Sequence, residues 1–534
     1  MKNIFLYSGK KNSYNFEISS ENNKQKAIIE SKKVSKVLKE NEEYIKKVFS
    51  IPDNGDIILR KFSVSIGGAH FDALLVYADG LSDSASINDF ILKPLMLLES
   101  RVPEEGEQAH EIIEKTMLPQ GQLGKSNDLK ELARKVNIGD AILLVDGLEN
   151  GFDMDVKSWE HRGVGNPENE SVIQGPHEGF NEVLRCNTAL IRKTLNTPNL
   201  VMENVSLGKT SKTPGALAYI KNVANTTLVD EVRKRITGID AEYILSSLDV
   251  EQYIEEASFL TIPQMITTER PDRVCKALAE GRVAVVMNGS SHVLVMPATF
   301  FDLTTSAEDG YLRYPYSILV RFLRYIAVVI SLLFPAVFVA ILNYHPELLL
   351  TNLMFAISSS RAVVPFGAVV ELLLMELAFE LIKEAGIRVP GPIGSTLGIV
   401  GGLIVGQAAV EANIVSPIMI IIVAVTGISS FTVPSYSLSF AFRFSRFLYI
   451  FGAAAAGLVG VSAVFFVNTL AAVGTKSFGV PFMSPLSPSS EDNALKLIFG
   501  APIWKRGEKR ESYLQPKDNY KKGKISRKWF KERT

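Results

Sequence analysis

The stretch YIAVVISLLFPAVFVAILNYHP, residues 325–346, contains no charged side chain. A helix of about 20 apolar residues crosses a hydrocarbon core of about 30 Å, so this run is long enough to span a bilayer. Three further uncharged runs follow, VPGPIGSTLGIVGGLIVGQAAV at 389–410 and the stretches 412–442 and 447–475. Outward from this block the character of the chain changes. Residues 1–316 are charged and ordinary in composition, and a basic tail, 476–534, closes the sequence. The predicted fold class is multidomain: an N-terminal α/β region of two related βα-containing subdomains, then a C-terminal α-helical polytopic transmembrane bundle over 317–475.

The formal net charge of zero hides an asymmetry. Residues 1–316 hold 36 Lys+Arg against 45 Asp+Glu, the block 317–475 holds 7 against 6, and the tail 14 against 6, giving −9, +1 and +8. A basic tail beside a bilayer suits an anionic leaflet; it is equally consistent with a solvated tail. The first 30 residues lack an apolar core and a small-residue cleavage site, so the soluble part is expected to stay in the cytoplasm. Two cysteines, Cys186 and Cys275, fit a reducing compartment and exclude a disulfide framework.

Residues 1–30 are polar and Asn/Lys-rich and are expected to be disordered. Beyond them, VSKVLKENEEYIKKVFS (34–50) reads as a helix, DIILRKFSVSI (56–66) and AHFDALLVYADG (69–80) as strands, and SASINDFILKPLMLLES (84–100) as a helix. The strand–loop–helix order of LLVYADGLSDSASINDFILKPL (74–95) recurs in LAYIKNVANTTLVDEVRKRI (217–236), with Tyr77 and Tyr219 in matching positions, and DAILLVDGLENGF (140–152) looks like the first strand and loop again. This predicts subdomains over 31–160 and 161–316. VAVVMNGSSHVLVMP (283–297) places Asn288-Gly289 between two apolar runs, a hairpin signal because Asn-Gly accepts the positive φ of a tight turn. Residues 302–315 form a connector into the membrane, and the aromatic group Tyr311, Tyr314 and Tyr316 sits where interfacial rings are expected.

Within the block the first span is expected at about 322–343, with Pro335 inside it. Residues 347–388 are ambiguous: apolar, yet carrying Arg361, Glu371, Glu376, Glu380 and Glu384. Glu376, Glu380 and Glu384 lie at i, i+4, i+8 on one helical stripe, which either lines a water-filled path or is the wet face of an interfacial helix. Small-residue-rich 390–410, the hinge Glu411-Ala412-Asn413, a span at 414–432 and a last span at about 447–473 follow. Four or five spans result, and the side reached by the tail depends on whether 347–388 crosses.

Enzyme signatures are missing. Gly208-Lys209-Thr210 resembles the end of a phosphate loop, but Glu203 stands where that loop needs glycine. His161, His177 and His292 are too scattered for a metal site. No catalysis, metal, cofactor or nucleic acid is expected.

The run HRGVGNPENESVIQGPHEGFNEVLRCNTALIRK (161–193) is more specific. Its Pro167, Glu170, Gly175, Pro176, Gly179, Phe180, Glu182, Asn187, Leu190, Ile191 and Arg192 resemble the pattern P-x-x-E…GP-x-x-GF-x-E…N-x-x-LIR of the GerA-type A-subunits of spore germinant receptors. The resemblance continues through TIPQMITTERPDRVCKALAEGRVAVVMNGSSHVLVMPATF (261–300) and PFGAVVELLLMELAFELIKEAGIRVPGPIGSTLGIVGGLIVGQAAVEANIVSP (365–417), covering most of 60–505. It departs at His161, where arginine is expected, and at Asn166, where an acid is expected.

The resemblance implies an inner-membrane subunit of a nutrient receptor in spores. Its partners would be a transporter-like, nutrient-binding B-subunit and a lipoprotein C-subunit, and copies of it would form a ring acting as a nutrient-gated cation channel. One face of the 390–410 helix fits that idea, with Thr396, Val400, Ile404 (or Leu403), Gln407 and Glu411 at helical spacing. Around a ring this face gives apolar constrictions and a carboxylate ring. In the blander reading Val400 and Ile404 pack against neighbouring spans and Glu411 caps a hairpin. The Glu376/Glu380/Glu384 stripe is a rival ion path, and a non-conducting scaffold coupling the B-subunit to a separate channel is the alternative function.

Overall fold

The structure, a computed structural model, describes residues 32–66, 69–97, 123–157, 165–167, 169–388 and 392–487, with side chains described for all of these except 66, 69, 387, 388 and 392–400. Residues 1–30, His161 and the tail beyond Ser487, on which three of the expectations above bear, lie outside it.

Two five-stranded sheets form the soluble part. The first takes β1 (Ile57–Ile66), β2 (Ala69–Ala78), β3 (Leu123–Ser126), β4 (Ala141–Val145) and β5 (Gly151–Met154) in the order β1-β2-β4-β5-β3. The second takes β6 (Leu200–Leu207), β7 (Thr213–Ile220), β8 (Ile266–Thr268), β9 (Val283–Met287) and β10 (Val293–Met296) in the order β6-β7-β9-β10-β8. These orders are identical once each strand is matched to the one five places on, and every pairing is antiparallel. Tyr77 and Tyr219 are the penultimate residues of β2 and β7, opposite Ile58 and Val201. The two subdomains therefore share one topology, as the sequence echo predicts.

Residues 140–152 are not a third copy of the first strand. They make the β4–β5 hairpin, the counterpart of β9–β10. The likeness has a physical cause: AILLV and VAVVM are central strands buried along their whole length, and such strands read as unbroken apolar runs. Alternate residues feed opposite faces. Ala73, Leu75, Leu143 and Val145 pack on one side of the first sheet, Leu74, Val76, Ile142 and Leu144 on the other. In the second sheet Ala216, Ala218, Ala284 and Val286 oppose Leu217, Val283, Val285 and Met287. The Asn288-Gly289 hairpin forms as expected, with Gly289 at φ +80°.

Among the described residues, six helices build the C-terminal block: Tyr314–Tyr344 with Pro335 inside, Thr351–Arg361, Ala368–Arg388, Pro392–Glu411, Pro417–Ser430 and Tyr436–Gly474. The first and last are long and apolar enough to cross a membrane by length and composition. The turn after Glu411 closes on Asn413, whose φ is +53°.

The last helix is not straight. Ala456 and Gly457 leave helical geometry, Gly457 at φ +61° and ψ −139°. A Cβ on Gly452 would lie 2.8 Å from Cγ2 of Val464, and one on Gly460 would overlap the Gly452 carbonyl oxygen. In a continuous helix residues twelve apart stand about 18 Å away from each other. The chain therefore doubles back at Gly457 into two antiparallel halves, where the sequence reading expects one span at 447–473. The AAAAGLVG run supplies the small residues that let these backbones touch.

After Gly474 the chain returns to the second subdomain. Lys476–Ser477 (β11) pairs with Val480–Pro481 (β12). Ser477 Oγ donates to the Gln264 carbonyl at 2.5 Å and accepts from Ala298 N at 3.0 Å. Phe478 and Phe482 enter the two cores of the second sheet. Both ends of the helical block are thus fastened to the same soluble subdomain.

Candidate functional site

The motif residues of 165–193 fold around the loop that leads into the Leu184–Thr194 helix. Pro167 is buried. The Glu170 carboxylate takes hydrogen bonds from Thr268 Oγ1 and the Arg273 guanidinium. Gly175, at φ +135°, lies under the Tyr311 ring, and a Cβ there would come within 2.9 Å of it. The Pro176 carbonyl accepts from Arg270 Nη2 at 2.9 Å. Gly179 leaves no room for a side chain, because a Cβ would sit 3.0 Å from the Gly165 carbonyl oxygen. Phe180, Leu190 and Ile191 join the core. The Glu182 carbonyl accepts from Gly289 N at 2.7 Å, and Asn187 closes the loop through Asn181, accepting from its N–H and donating to its carbonyl.

Arg192 ties the two subdomains together. It is 1% exposed and its guanidinium reaches into the first subdomain, bidentate to Asp56 at 2.8 and 2.9 Å and to Asn137 Oδ1 at 2.9 Å. A buried arginine is tolerated when its donors are met in this way. Asn166, the departure from the family pattern, is exposed, while Asn169 Nδ2 donates to Glu269 Oε1 at 2.6 Å and His292 Nε2 lies 3.0 Å from that same oxygen.

The loop network continues into the helical block. Arg270 pairs with Asp272, whose other neighbour is the Tyr311 hydroxyl, donating at 2.6 Å; burial, then this bond, pushes the Tyr311 phenol upward. Arg273 also donates to the Asp302 and Thr305 carbonyls, and Arg282 reaches the Asp302 carboxylate at 2.7 Å. Asp309, 1% exposed, receives Arg324 Nη1 at 2.7 Å and Nη2 at 3.1 Å, with Arg321 at 3.3 Å. A cleft of about 220 Å³ opens here between Arg273, Lys276, Glu280, Asp302 and Tyr311. Tyr311 is thus held by the soluble domain, while Tyr316 is exposed.

Deeper in the block the carboxylate stripe meets arginines. Glu376 Oε2 accepts from Arg446 Nη1 at 2.7 Å, both groups 3% exposed, and Arg446 Nε also donates to the Ser331 carbonyl at 2.7 Å. Glu380 pairs with Arg443. Glu371, fully buried, faces Arg361 at 3.5 Å and accepts from Ser416 N at 2.5 Å and from the Ser416 hydroxyl. Glu384 is exposed at the end of the stripe. Sequence reasoning singled out the carboxylates, but not that Arg443 and Arg446 meet them. The available signal was spacing: Arg443 and Arg446, three apart, match Glu376 and Glu380, four apart, on facing helices.

The expected pore face lies on the Pro392–Glu411 helix at the edge of the block. Leu403, Ile404, Gln407 and Glu411 are exposed, and Gly406 packs against Ile420; the side chains of Thr396 and Val400 lie outside the description. This face is on a different helix from the stripe and is not brought to the motif network. Lys209 pairs with Asp240, and strand β7 rather than a helix follows Gly208-Lys209-Thr210, so no helix N-terminus faces a phosphate there.

Comparison with known proteins decides the family. The model of the Bacillus/Clostridium GerA spore germination proteins matches residues 43–513. This chain is a member of the GerA family. It is 36% identical to spore germination protein KA of Bacillus subtilis over 89% of this chain and 87% of that protein, and 33% identical to spore germination protein GerLA of Bacillus cereus over 87% and 93%. It is also 38% identical to a Bacillus subtilis membrane protein, YfkQ, over 84% and 86%. The crystal structure of the N-terminal domain of the A subunit of the Bacillus megaterium spore germinant receptor GerK3 aligns over 51% of this chain and 98% of that one, at 28% identity and a TM-score of 0.39. In this GerA protein, the motif residues matched to the family fasten the subdomains to each other and to the start of the helical block.

Proposed function

We propose that this chain is the A-subunit of a germinant receptor in the spore inner membrane, and that copies of it form a ring enclosing a nutrient-gated cation pore. The observation that carries this reading is the Pro392–Glu411 helix. It stands at the edge of the single chain with Gln407 and Glu411 exposed among apolar neighbours. Polar groups facing hydrocarbon are costly, so a helix of this kind is expected to face water or a neighbouring subunit. A ring of copies provides both, with Val400 and Ile404 as constrictions and Glu411 as a carboxylate ring favouring cations.

The fastening of both block ends to the second subdomain supports an even number of crossings, with the tail on the side of the soluble domain. That side is the cytoplasmic one in this proposal, and the basic tail then meets the anionic leaflet. Partners are a transporter-like B-subunit that binds the nutrient and a lipoprotein C-subunit. The non-conducting scaffold is a second reading, favoured by one observation: Glu376 and Glu380 are already paired with arginines, so the stripe offers a passing cation little free charge.

Reconstituting the protein in liposomes separates the two. The pore reading expects cation flux, reduced when Glu411→Gln removes the carboxylate ring and altered by Val400→Ala. An assembled complex without flux leaves the scaffold, and flux indifferent to both substitutions overturns the assignment of the pore to the Pro392–Glu411 helix.

A further inference from the structure

The loop between the Ser247–Ile254 helix and strand β8 carries Phe259, which is 104% exposed, and Leu260, 42% exposed. Single exposed apolar side chains are common on protein surfaces, so this phenylalanine gains meaning from the level at which it is held. Its position here is fixed at both ends. Glu256 N donates to Gln264 Oε1 at 2.7 Å, Glu256 Oε1 accepts from Gly479 N at 3.2 Å, and the Gln264 carbonyl accepts from Ser477 Oγ. The tip itself turns through Leu260 N donating to the Ala257 carbonyl at 3.0 Å.

Those anchors set its level. Ser477 is three residues beyond Gly474, the end of the last helix, and three residues of extended chain reach at most about 11 Å. The sheet register gives the same answer: Ile266 pairs with Val295, so Gln264 lies at the end of the sheet from which Ala298 and the helical block emerge. Ile262 packs against the cluster that contains Leu438 and includes Phe442 and Ala472 at its margin. The loop tip therefore stands beside the ends of the long helices, not on the remote face of the soluble domain.

We infer that Ser258-Phe259-Leu260 is a membrane-anchoring loop that inserts the Phe259 ring into the lipid leaflet beneath the soluble domain. The partner is a lipid surface: the tip stands level with the ends of the long helices, and Lys476 is exposed beside the loop base. Aromatic rings favour the headgroup boundary. With Tyr316 at the start of the first helix, Phe259 gives the soluble domain a second contact with the bilayer. The inference rests on the helical block spanning a membrane.

The test uses the full chain with its three native tryptophans, Trp159, Trp504 and Trp529, replaced by phenylalanine, in vesicles of mixed phosphatidylcholine and phosphatidylglycerol. Into this background Phe259→Trp is introduced and compared with Phe466→Trp, an exposed position on the returning half of the last helix. Lipids brominated near the headgroup should remove roughly half of the indole emission of the Phe259→Trp protein, and lipids brominated deep in the chain less. The Phe466→Trp protein should be quenched in either case. An unquenched Phe259→Trp protein beside a quenched Phe466→Trp protein overturns the anchoring loop alone, whether the ring is in water or against another protein. If neither is quenched, the membrane-spanning reading falls as well.

Discussion

Arg446 and Glu376 face each other 2.7 Å apart inside the helical block, each 3% exposed, and the arginine is held in place by the Ser331 carbonyl of the first long helix. Three helices therefore meet at one ion pair. Such a pair is a weak source of net stability, because desolvation offsets much of the attraction, but it fixes register among its helices. The stripe predicted from Glu376, Glu380 and Glu384 is in this sense a docking strip for Arg446 and Arg443.

Removing one partner is predicted to be harmful and removing both less so. Arg446→Met leaves Glu376 charged and buried, at a cost of about 3–5 kcal/mol. The double variant Glu376→Gln/Arg446→Met should recover most of that loss. Thermal unfolding of the detergent-solubilised protein measures both. A double variant as unstable as the single would mean that Arg446 acts through its Ser331 bond and not through the carboxylate.

Arg192 makes a sharper prediction, because its partners lie in the other subdomain. Arg192→Ala strands Asp56 in the interface and should destabilise the soluble part by about 3–5 kcal/mol. Arg192→Lys should recover little, since an ammonium cannot reproduce the fork to Asp56 and reach Asn137 together. Hydrogen exchange on the full chain should show faster exchange around Asp56 and Leu200 with the Leu184–Thr194 helix still formed. Protection unchanged at those amides would show that the subdomains are held by apolar contact alone.

These two sites show what the sequence made legible. Alternation and turn residues placed the strands, and Asn288-Gly289 placed its hairpin, because both signals are local. The family pattern marked Glu170, Asn187 and Arg192 as a set. What it did not reveal was pairing between distant positions: Arg192 with Asp56, or Glu376 with Arg446. The same limit produced the misreading of 140–152, since AILLV carries the signature of any strand covered on both faces. The reversal at Gly457 was hidden for another reason. AAAAGLVG is compatible with a continuous apolar helix, in which glycine is common, and only the approach of Gly452 to Gly460 shows the fold.

That reversal yields a third prediction. Gly457 has positive φ, and a Cβ would lie 2.9 Å from the Tyr344 side chain, whose hydroxyl donates to the Ala454 carbonyl at 2.6 Å. Gly457→Ala should cost about 1–3 kcal/mol in backbone strain before any displacement of Tyr344. Gly460→Val should be worse, because two backbones must separate. Cysteine accessibility on either side of sealed vesicles reports the outcome: a residue placed after Gly474 should keep its side in the parent protein and lose uniform sidedness in Gly460→Val. Uniform labelling in both would show that the hairpin is set by the soluble-domain clasp at Ser477 instead.

Glu251 gives a prediction with a sign. It sits on the Ser247–Ile254 helix against β8, and burial pushes its carboxyl up to about 7, opposed by a bond from Thr267 Oγ1 and reinforced by the like charge of Glu255. A carboxyl raised in the folded state holds its proton more tightly there than in the unfolded chain. Its contribution is therefore complete below the ordinary value of 4.5 and is lost as pH rises through about 7. The partial exposure of the residue limits the effect to about 1–2 kcal/mol. Glu251→Gln keeps the protonated shape without the titration, so its melting temperature should match the parent near pH 5 and exceed it near pH 8. Parallel melting curves across that range would mean that Glu251 ionises in the folded protein as it does in water, and that the loop after it reaches solvent more freely than its bonds to Gln264 and Gly479 allow.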